Sequence, residues 1–153
     1  MQAFENKIPP PIVAALFAAA MWGLSLTVAT FDMNLVARGI AIAVAMGTGA
    51  FFCLAGVLSF KKAATTVNPL KPETAPSLVS TGIYKITRNP MYLGFTLFLI
   101  AWAIYLSSLW VFLGVVGFIL YINRFQIVPE ERALVEIFGS EFTRYQSQVR
   151  RWL

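Results

Sequence analysis

Uncharged apolar runs alternate with short polar stretches along this chain. The first run extends from Ile12 to about Thr30 (IVAALFAAAMWGLSLTVAT). Pro9, Pro10 and Pro11 precede it, and proline suits a helix start because its missing N–H would have no intrahelical partner there. Asp32 and Asn34 mark a short loop. The second run extends from about Ile40 to Phe60. Its glycines (Gly39, Gly47, Gly49, Gly56) suit close helix packing in lipid, and Gly47 and Gly49 alternatively mark a bend. A third run, Met91 to Asn123, carries no charge. As one helix it would be roughly 50 Å long, against a hydrocarbon core of about 30 Å. It must tilt steeply or turn back, and Ser107-Ser108 in its middle predicts a turn. The arms Tyr92–Leu106 and Leu109–Asn123 then form a tight helical hairpin.

Composition turns these runs into membrane spans. Of the 153 residues, 58% are apolar and only 12% charged, whereas about a quarter of a soluble domain is charged. So little charge cannot cover a water-soluble globule. The expected fold is an all-α integral membrane domain of about four transmembrane helices. The first run exceeds the roughly 7–15 residues of a signal-peptide core, and Glu5 stands beside Lys7, so it reads as a span rather than a cleaved leader. The expected organisation is a single domain: two N-terminal spans (1–60), a cytoplasmic loop (61–90), the hairpin (91–123) and a helical tail (124–153).

Charge sets the orientation. Lys61, Lys62, Lys71, Lys85 and Arg88 lie between the second and third helices, and Arg124, Arg132, Arg144, Arg150 and Arg151 follow the fourth. By the positive-inside rule the long loop and the tail face the cytoplasm, and four spans bring the N-terminus there too. Basic residues beside an anionic leaflet account for the net charge of +5 without nucleic acid. The chain has no histidine and one cysteine, Cys53. His general bases, Ser-His-Asp triads, zinc clusters and internal disulfides are thereby excluded. No P-loop, GxGxxG or metal-ligand cluster occurs.

Candidate chemistry sits in the two cytoplasmic segments. In the loop, Pro69, Pro72 and Pro76 oppose a continuous helix. Asn89-Pro90 fits a helix start, with Asn89 as N-cap and Pro90 as first helical residue. The positive end of that helix suits an anion, and Arg88 stands beside it. The structural reading of Arg88 is a side chain snorkelling to headgroups. In the tail, Pro129 suits another helix start, and Glu130 and Glu131 in its first turn complement the helix dipole. Functionally, one of these glutamates binds a cation. Gly139 would end that helix. From Glu141 to Trp152, Phe142, Tyr145, Val149 and Trp152 share one face. That pattern fits an interfacial amphipathic helix and equally fits packing against the protein's own helices.

The run LVSTGIYKITRNPMYLGF (Leu78–Phe95), followed about 35 residues later by PEERALVEIFGSEFTRYQSQVRRW (Pro129–Trp152), resembles the isoprenylcysteine carboxyl methyltransferase and phospholipid methyltransferase superfamily. That family carries G-x-Y, R-H-P-x-Y-x-G, a helical hairpin and then a glutamate pair. The resemblance covers residues 65 to 153 at most. It implies methyl transfer from S-adenosyl-L-methionine (SAM), bound on the cytoplasmic side. Matching cofactor positions are Leu78, Val79, Tyr84, Pro90, Met91, Tyr92 and Glu130, with Glu131 as neighbour. The family's substrate-orienting arginine precedes the glutamates by a few residues; Gln126 is nearest that place, and Arg124 is the closest arginine. Arg124 and Glu130 are therefore the candidate catalytic residues. The motif's His is Asn89 here, which can position a group by hydrogen bonding but cannot titrate.

Chemistry suits the resemblance. Arg88 and the helix N-terminus can hold the cofactor carboxylate. Glu130 can hold its ammonium or a ribose hydroxyl, and Tyr84 and Tyr92 offer aromatic faces. In-line methyl transfer needs alignment and exclusion of water more than a strong base. The expected partners are SAM, membrane lipids and a small or lipid-like acceptor with a carboxylate, amine or thiol. Two other readings compete: an NADPH-dependent membrane reductase, by fold analogy alone, and a non-catalytic membrane subunit tolerant of change at Arg88, Tyr92 and Glu130.

Overall fold

The computed structural model describes residues 7–62 and 78–153. Among the described residues every regular element is helical. The elements are α1 (Pro10–Ser25), α2 (Leu35–Lys62), a 3₁₀ turn (Gly82–Lys85), α3 (Pro90–Leu106), α4 (Phe112–Ile122), a π-helical turn (Asn123–Ile127), α5 (Val128–Phe138) and α6 (Ser140–Gln148). The prolines at 69, 72 and 76 lie outside the described residues.

Two helices are long and apolar enough to cross a membrane, Leu35–Lys62 and the continuous stretch Phe112–Phe138. α1 and α3 are apolar but shorter, with 16 and 17 residues, or about 24 and 26 Å. α1 stops before Thr30 because its own side chains cap it. Ser25 Oγ donates to the Trp22 carbonyl (2.6 Å) and Thr27 Oγ1 to the Leu24 carbonyl (2.9 Å). α2 begins ahead of Ile40 because Asn34 Oδ1 accepts from the N–H groups of Val36 (3.0 Å) and Ala37 (3.2 Å), satisfying donors a new helix leaves open.

Glycine brings α2 and α3 together, and α2 runs through Gly47 and Gly49 as one continuous helix. A Cβ on Gly49 would lie 2.8 Å from Phe98 Cε1 and 3.0 Å from the Gly94 carbonyl. A Cβ on Gly94 would strike Cys53 Sγ and lie 2.7 Å from the Gly49 carbonyl. Val13 and Met21 of α1, Leu99 and Ala103 of α3, and Val115, Phe118 and Ile122 of α4 form the main core. The outward faces carry exposed Leu16, Trp22, Val44, Phe51, Leu54, Leu113 and Leu120. Apolar surface on that scale suits lipid rather than water.

The hairpin turns at Ser107-Ser108, as the sequence predicts. Ser107 is left-handed (φ 52°), the one non-glycine residue with positive φ among those described. Its strain is held by tertiary bonds. Arg38 Nη1 donates to Ser107 Oγ (2.8 Å), the Phe31 N–H to the Ser107 carbonyl (2.8 Å), and Ser108 Oγ to the Ala29 carbonyl (2.8 Å).

The second arm differs from expectation. α4 closes at Ile122 with Asn123 as its C-cap, and α5 carries Pro129 in its first turn, as expected, but no loop parts them: the backbone runs on through the π turn. The Val128 N–H donates to the Asn123 carbonyl, five residues back. Proline in an α-helix deletes a bond and crowds the carbonyl four residues earlier, and the wider π turn just before Pro129 accommodates both. At Gly139 (φ 52°) the chain breaks. α6 is shorter than the expected Glu141–Trp152 because Val149 is extended. Its face packs inward. Phe142 and Tyr145 are buried with Val79, Ile83 and Tyr84, and Phe52, Phe60, Leu134 and Phe138 pack around them.

Candidate functional site

The G-x-Y segment is a 3₁₀ turn lying on α2. Gly82 has φ +62°, and a Cβ there would sit 2.8 Å from Ser59 Oγ, so both conformation and space require glycine. The turn buries Tyr84, whose ring meets Phe60 edge-on at 5.4 Å. The Tyr145 hydroxyl donates to the Tyr84 carbonyl (2.7 Å) and so ties α6 to this turn. Burial pushes both phenols above the ordinary tyrosine range. For Tyr84, the neighbouring Tyr145 and Glu130 push further, while Arg88 pulls Tyr145 back in part.

Asn89 occupies the N-cap position of α3, yet its side chain caps nothing. It donates instead to the Arg151 carbonyl (2.9 Å), and Thr87 Oγ1 donates to the same carbonyl (3.3 Å). The Arg88 N–H donates to the Arg150 carbonyl (3.0 Å). The tail thus lies along the R-N-P turn. Arg88 is largely committed to it. Its Nη1 donates to the carbonyls of Gln146 (3.1 Å) and Val149 (2.6 Å), and its Nη2 to Glu131 Oε1 (2.7 Å). Among the described residues its buried Nε has no hydrogen-bond partner.

Pro90 and Met91 face α2, where a Cβ on Gly56 would lie 2.9 Å from Met91 Cγ and 3.4 Å from Pro90 Cγ. Tyr92, one position on, turns the other way. Its hydroxyl donates to Glu130 Oε1 at 2.5 Å, across 38 residues of sequence.

The two glutamates therefore separate. Adjacent positions on a helix point about 100° apart. Glu130 meets Tyr92, while Glu131 takes Arg88 on one oxygen and Arg151 on both (3.1 Å from Nε, 2.5 Å from Nη2). With side chains only 11% and 13% exposed, Arg88 and Glu131 form a largely desolvated pair. Such a pair is costly to break from one side, because the survivor keeps its charge without its partner.

Val79 is buried and Leu78 half-buried beneath α6. Arg124 is exposed, its guanidinium 5.3 Å from the Phe125 ring centroid. Gln126 is fully buried and donates from Nε2 to the Ile8 carbonyl (2.8 Å), and its Oε1 has no partner among the described residues.

The structure thus brings Tyr84, Arg88, Asn89, Tyr92, Glu130 and Glu131 around the start of α3. Sequence reasoning missed Thr87, Asn123, Tyr145 and Arg151. One signal was available for Arg151: a carboxylate next to buried apolar positions demands a cation, and the tail arginines are among the few that topology can deliver.

An uncharacterized protein of Haemophilus influenzae is 51% identical over 63 residues, covering 41% of this chain and all of that protein. Protein-S-isoprenylcysteine O-methyltransferase of Saccharomyces cerevisiae is 35% identical over 82 residues, 52% of this chain and 33% of the yeast protein. Methanethiol S-methyltransferase 1 of Bradyrhizobium diazoefficiens is 30% identical over 79 residues, 52% of this chain and 27% of that enzyme. The chain thus spans about a third or less of the two named methyltransferases. No solved structure matches. The sequence profile of the phospholipid methyltransferases matches residues 37–141, from the first turn of α2 into α6, across the first motif segment and the first half of the second, and the chain belongs to that family.

Proposed function

We propose that this chain is a multi-pass membrane methyltransferase that moves a methyl group from SAM to a small or lipophilic acceptor bearing a carboxylate, an amine or a thiol. In this reading α1 to α4 are four spans, and both termini and the 61–90 loop are cytoplasmic, as the distribution of Lys and Arg favours.

The observation that carries the reading is the Tyr92–Glu130 hydrogen bond. It joins the two motif segments at the end of the hairpin where the basic loop and tail meet. The residues fit the cofactor. Arg88 keeps a buried Nε–H without a partner among the described residues, a donor suited to the cofactor carboxylate. Glu130 presents an acceptor for an ammonium or a ribose hydroxyl, oriented by Tyr92. Tyr84 and Tyr92 offer ring faces to the adenine or the sulfonium. When bound, SAM supplies an electrophilic methyl carbon whose bond to sulfur breaks as an acceptor lone pair attacks in line. The protein's part is to orient the reactants and exclude water, which needs no histidine. Tyr92 lies at the membrane end of the site, so a lipophilic acceptor can approach from the bilayer.

The test is calorimetric titration of the purified protein in detergent with SAM, with NADPH as comparator and Glu130→Ala as control. SAM binding that the substitution abolishes is the expected result. A folded protein that binds NADPH and not SAM would overturn the proposal in favour of a reductase.

A further inference from the structure

Arg151 bonds to both sides of the π turn in the helix that carries Glu130. Its Nη1 donates to Asn123 Oδ1 (2.9 Å) at the start of the turn. Its Nε and Nη2 donate to the Glu131 carboxylate beyond it. Asn123 and Glu131 are eight residues apart. In an unbroken α-helix, eight residues would leave them about 80° apart around the axis. The π turn absorbs one residue, so the separation becomes equivalent to seven and the two fall within about 20°. One guanidinium reaches both because the turn is there.

The same register aims Glu130. Were the turn α-helical, everything from Val128 onward would rotate by about 100°, carrying Glu130 away from Tyr92. The Arg151 carbonyl also accepts from Thr87 and Asn89, just before the helix that carries Tyr92. One tail residue therefore supports both members of the Tyr92–Glu130 pair.

We propose that Arg151 is a positioning residue of the methyl-transfer site: by bridging Asn123 and Glu131 it holds the π register that turns Glu130 onto Tyr92. This rests on Tyr92 and Glu130 being groups of the SAM site. Arg88 shares Glu131 but is anchored on α6 and the residue after it through Gln146 and Val149, whereas Arg151 bonds to Asn123 as well as to Glu131.

The site is open enough for chemical rescue. The Arg151 side chain is 34% exposed, and a groove of about 360 Å³ beside it is lined by Glu131, Arg132, Val135 and Gln146. A free guanidinium ion can therefore replace a truncated side chain. SAM affinity is measured by calorimetry on the full chain in detergent. Arg151→Ala is expected to weaken binding about tenfold or more, the equivalent of about one hydrogen bond to a charged group. Added guanidinium restores most of the loss, and sodium at equal ionic strength restores none. Arg151→Lys restores part, because an ammonium lacks the planar fork. Glu131→Gln weakens binding comparably, and the double variant Arg151→Ala/Glu131→Gln is little worse than either single one, as for two parts of one device.

Wild-type affinity in folded Arg151→Ala, or additive losses in the double variant, would overturn the proposal. So would a loss that guanidinium and lysine both fail to relieve. If Arg151→Ala does not fold, Arg151→Lys and Glu131→Gln carry the test, and unchanged affinity in both overturns it. A wild-type protein that binds no SAM overturns the functional reading and this proposal together. Normal wild-type binding with an unaffected Arg151→Ala overturns this proposal alone.

Discussion

Gly94→Ala probes the contact that links helix packing to the candidate site. The new Cβ would lie 2.7 Å from the Gly49 carbonyl and would overlap Cys53 Sγ. Ordinary contact begins at 3.4 Å, so α3 must retreat from α2 by roughly 0.7 Å. The sulfur can rotate away, but a helical carbonyl cannot. Overpacking of this kind costs about 1–3 kcal/mol, against at most about 1 kcal/mol gained from replacing glycine by alanine in a helix. Even with that gain in full, net destabilisation of up to about 2 kcal/mol is expected. Tyr92 stands two residues earlier on the same helix, so the retreat also disturbs its bond to Glu130. A displacement near 1 Å can cost about a hundredfold in activity, and SAM affinity should fall as well. Gly47→Ala is the control, because its Cβ would meet nothing within 4 Å; it should be neutral or stabilising. Adding Cys53→Ala to Gly94→Ala should recover only part of the loss, since the carbonyl remains. The assay is thermal unfolding in detergent followed by tryptophan fluorescence, paired with SAM titration. Equal unfolding temperatures for Gly94→Ala and Gly47→Ala would refute the reasoning.

Two further outcomes follow from the fold. At the hairpin tip, Ser107→Val should destabilise by about 2 kcal/mol, because a β-branched residue resists positive φ and the bond from Arg38 is lost. Ser107→Gly should cost less, since it relieves the strain while losing the same bond, and equal unfolding temperatures for the two would refute this. In alkali, Tyr84 and Tyr145 have their phenols raised by burial above the ordinary tyrosine value of 10.0. Their neutral forms therefore stabilise the fold fully below about pH 10, and that contribution is lost as pH rises beyond it toward the folded-state values. Phenolate absorbance should accordingly show these two titrating only as the protein unfolds. Reversible titration of all five tyrosines near pH 10 in folded protein would contradict it.

Much of this architecture is local and was therefore legible in the sequence. Apolar run length marked the helices, because each helix satisfies its own backbone and needs only side chains that tolerate lipid. Excess length forced the hairpin and located its tip at Ser107-Ser108. Gly139 marked a break because the chain needs positive φ there. The motif segments identified Tyr92 and the glutamate pair. Their family relation supports the SAM reading, while each residue's role stands on the proposed experiments.

The rest is decided by contacts between residues far apart in sequence. Nothing local distinguishes Glu130 from Glu131, which share a helix turn and a charge. The structure separates them because Tyr92 lies on one side and Arg88 and Arg151 on the other. Arg88 read as a membrane-flanking or anion-binding charge, and only the fold shows it holding carbonyls of the tail. Asn89 read as a cap, and the tail claims its side chain instead. Pro129 read as a helix start because proline normally interrupts an α-helix; a π turn of ordinary residues removes the conflict, and its stability depends on neighbours that the local sequence does not specify. The pattern of apolar residues thus determines which segments become helices. The rotation of each helix about its axis, and with it the choice of which carboxylate faces the site, follows from packing and long-range hydrogen bonds.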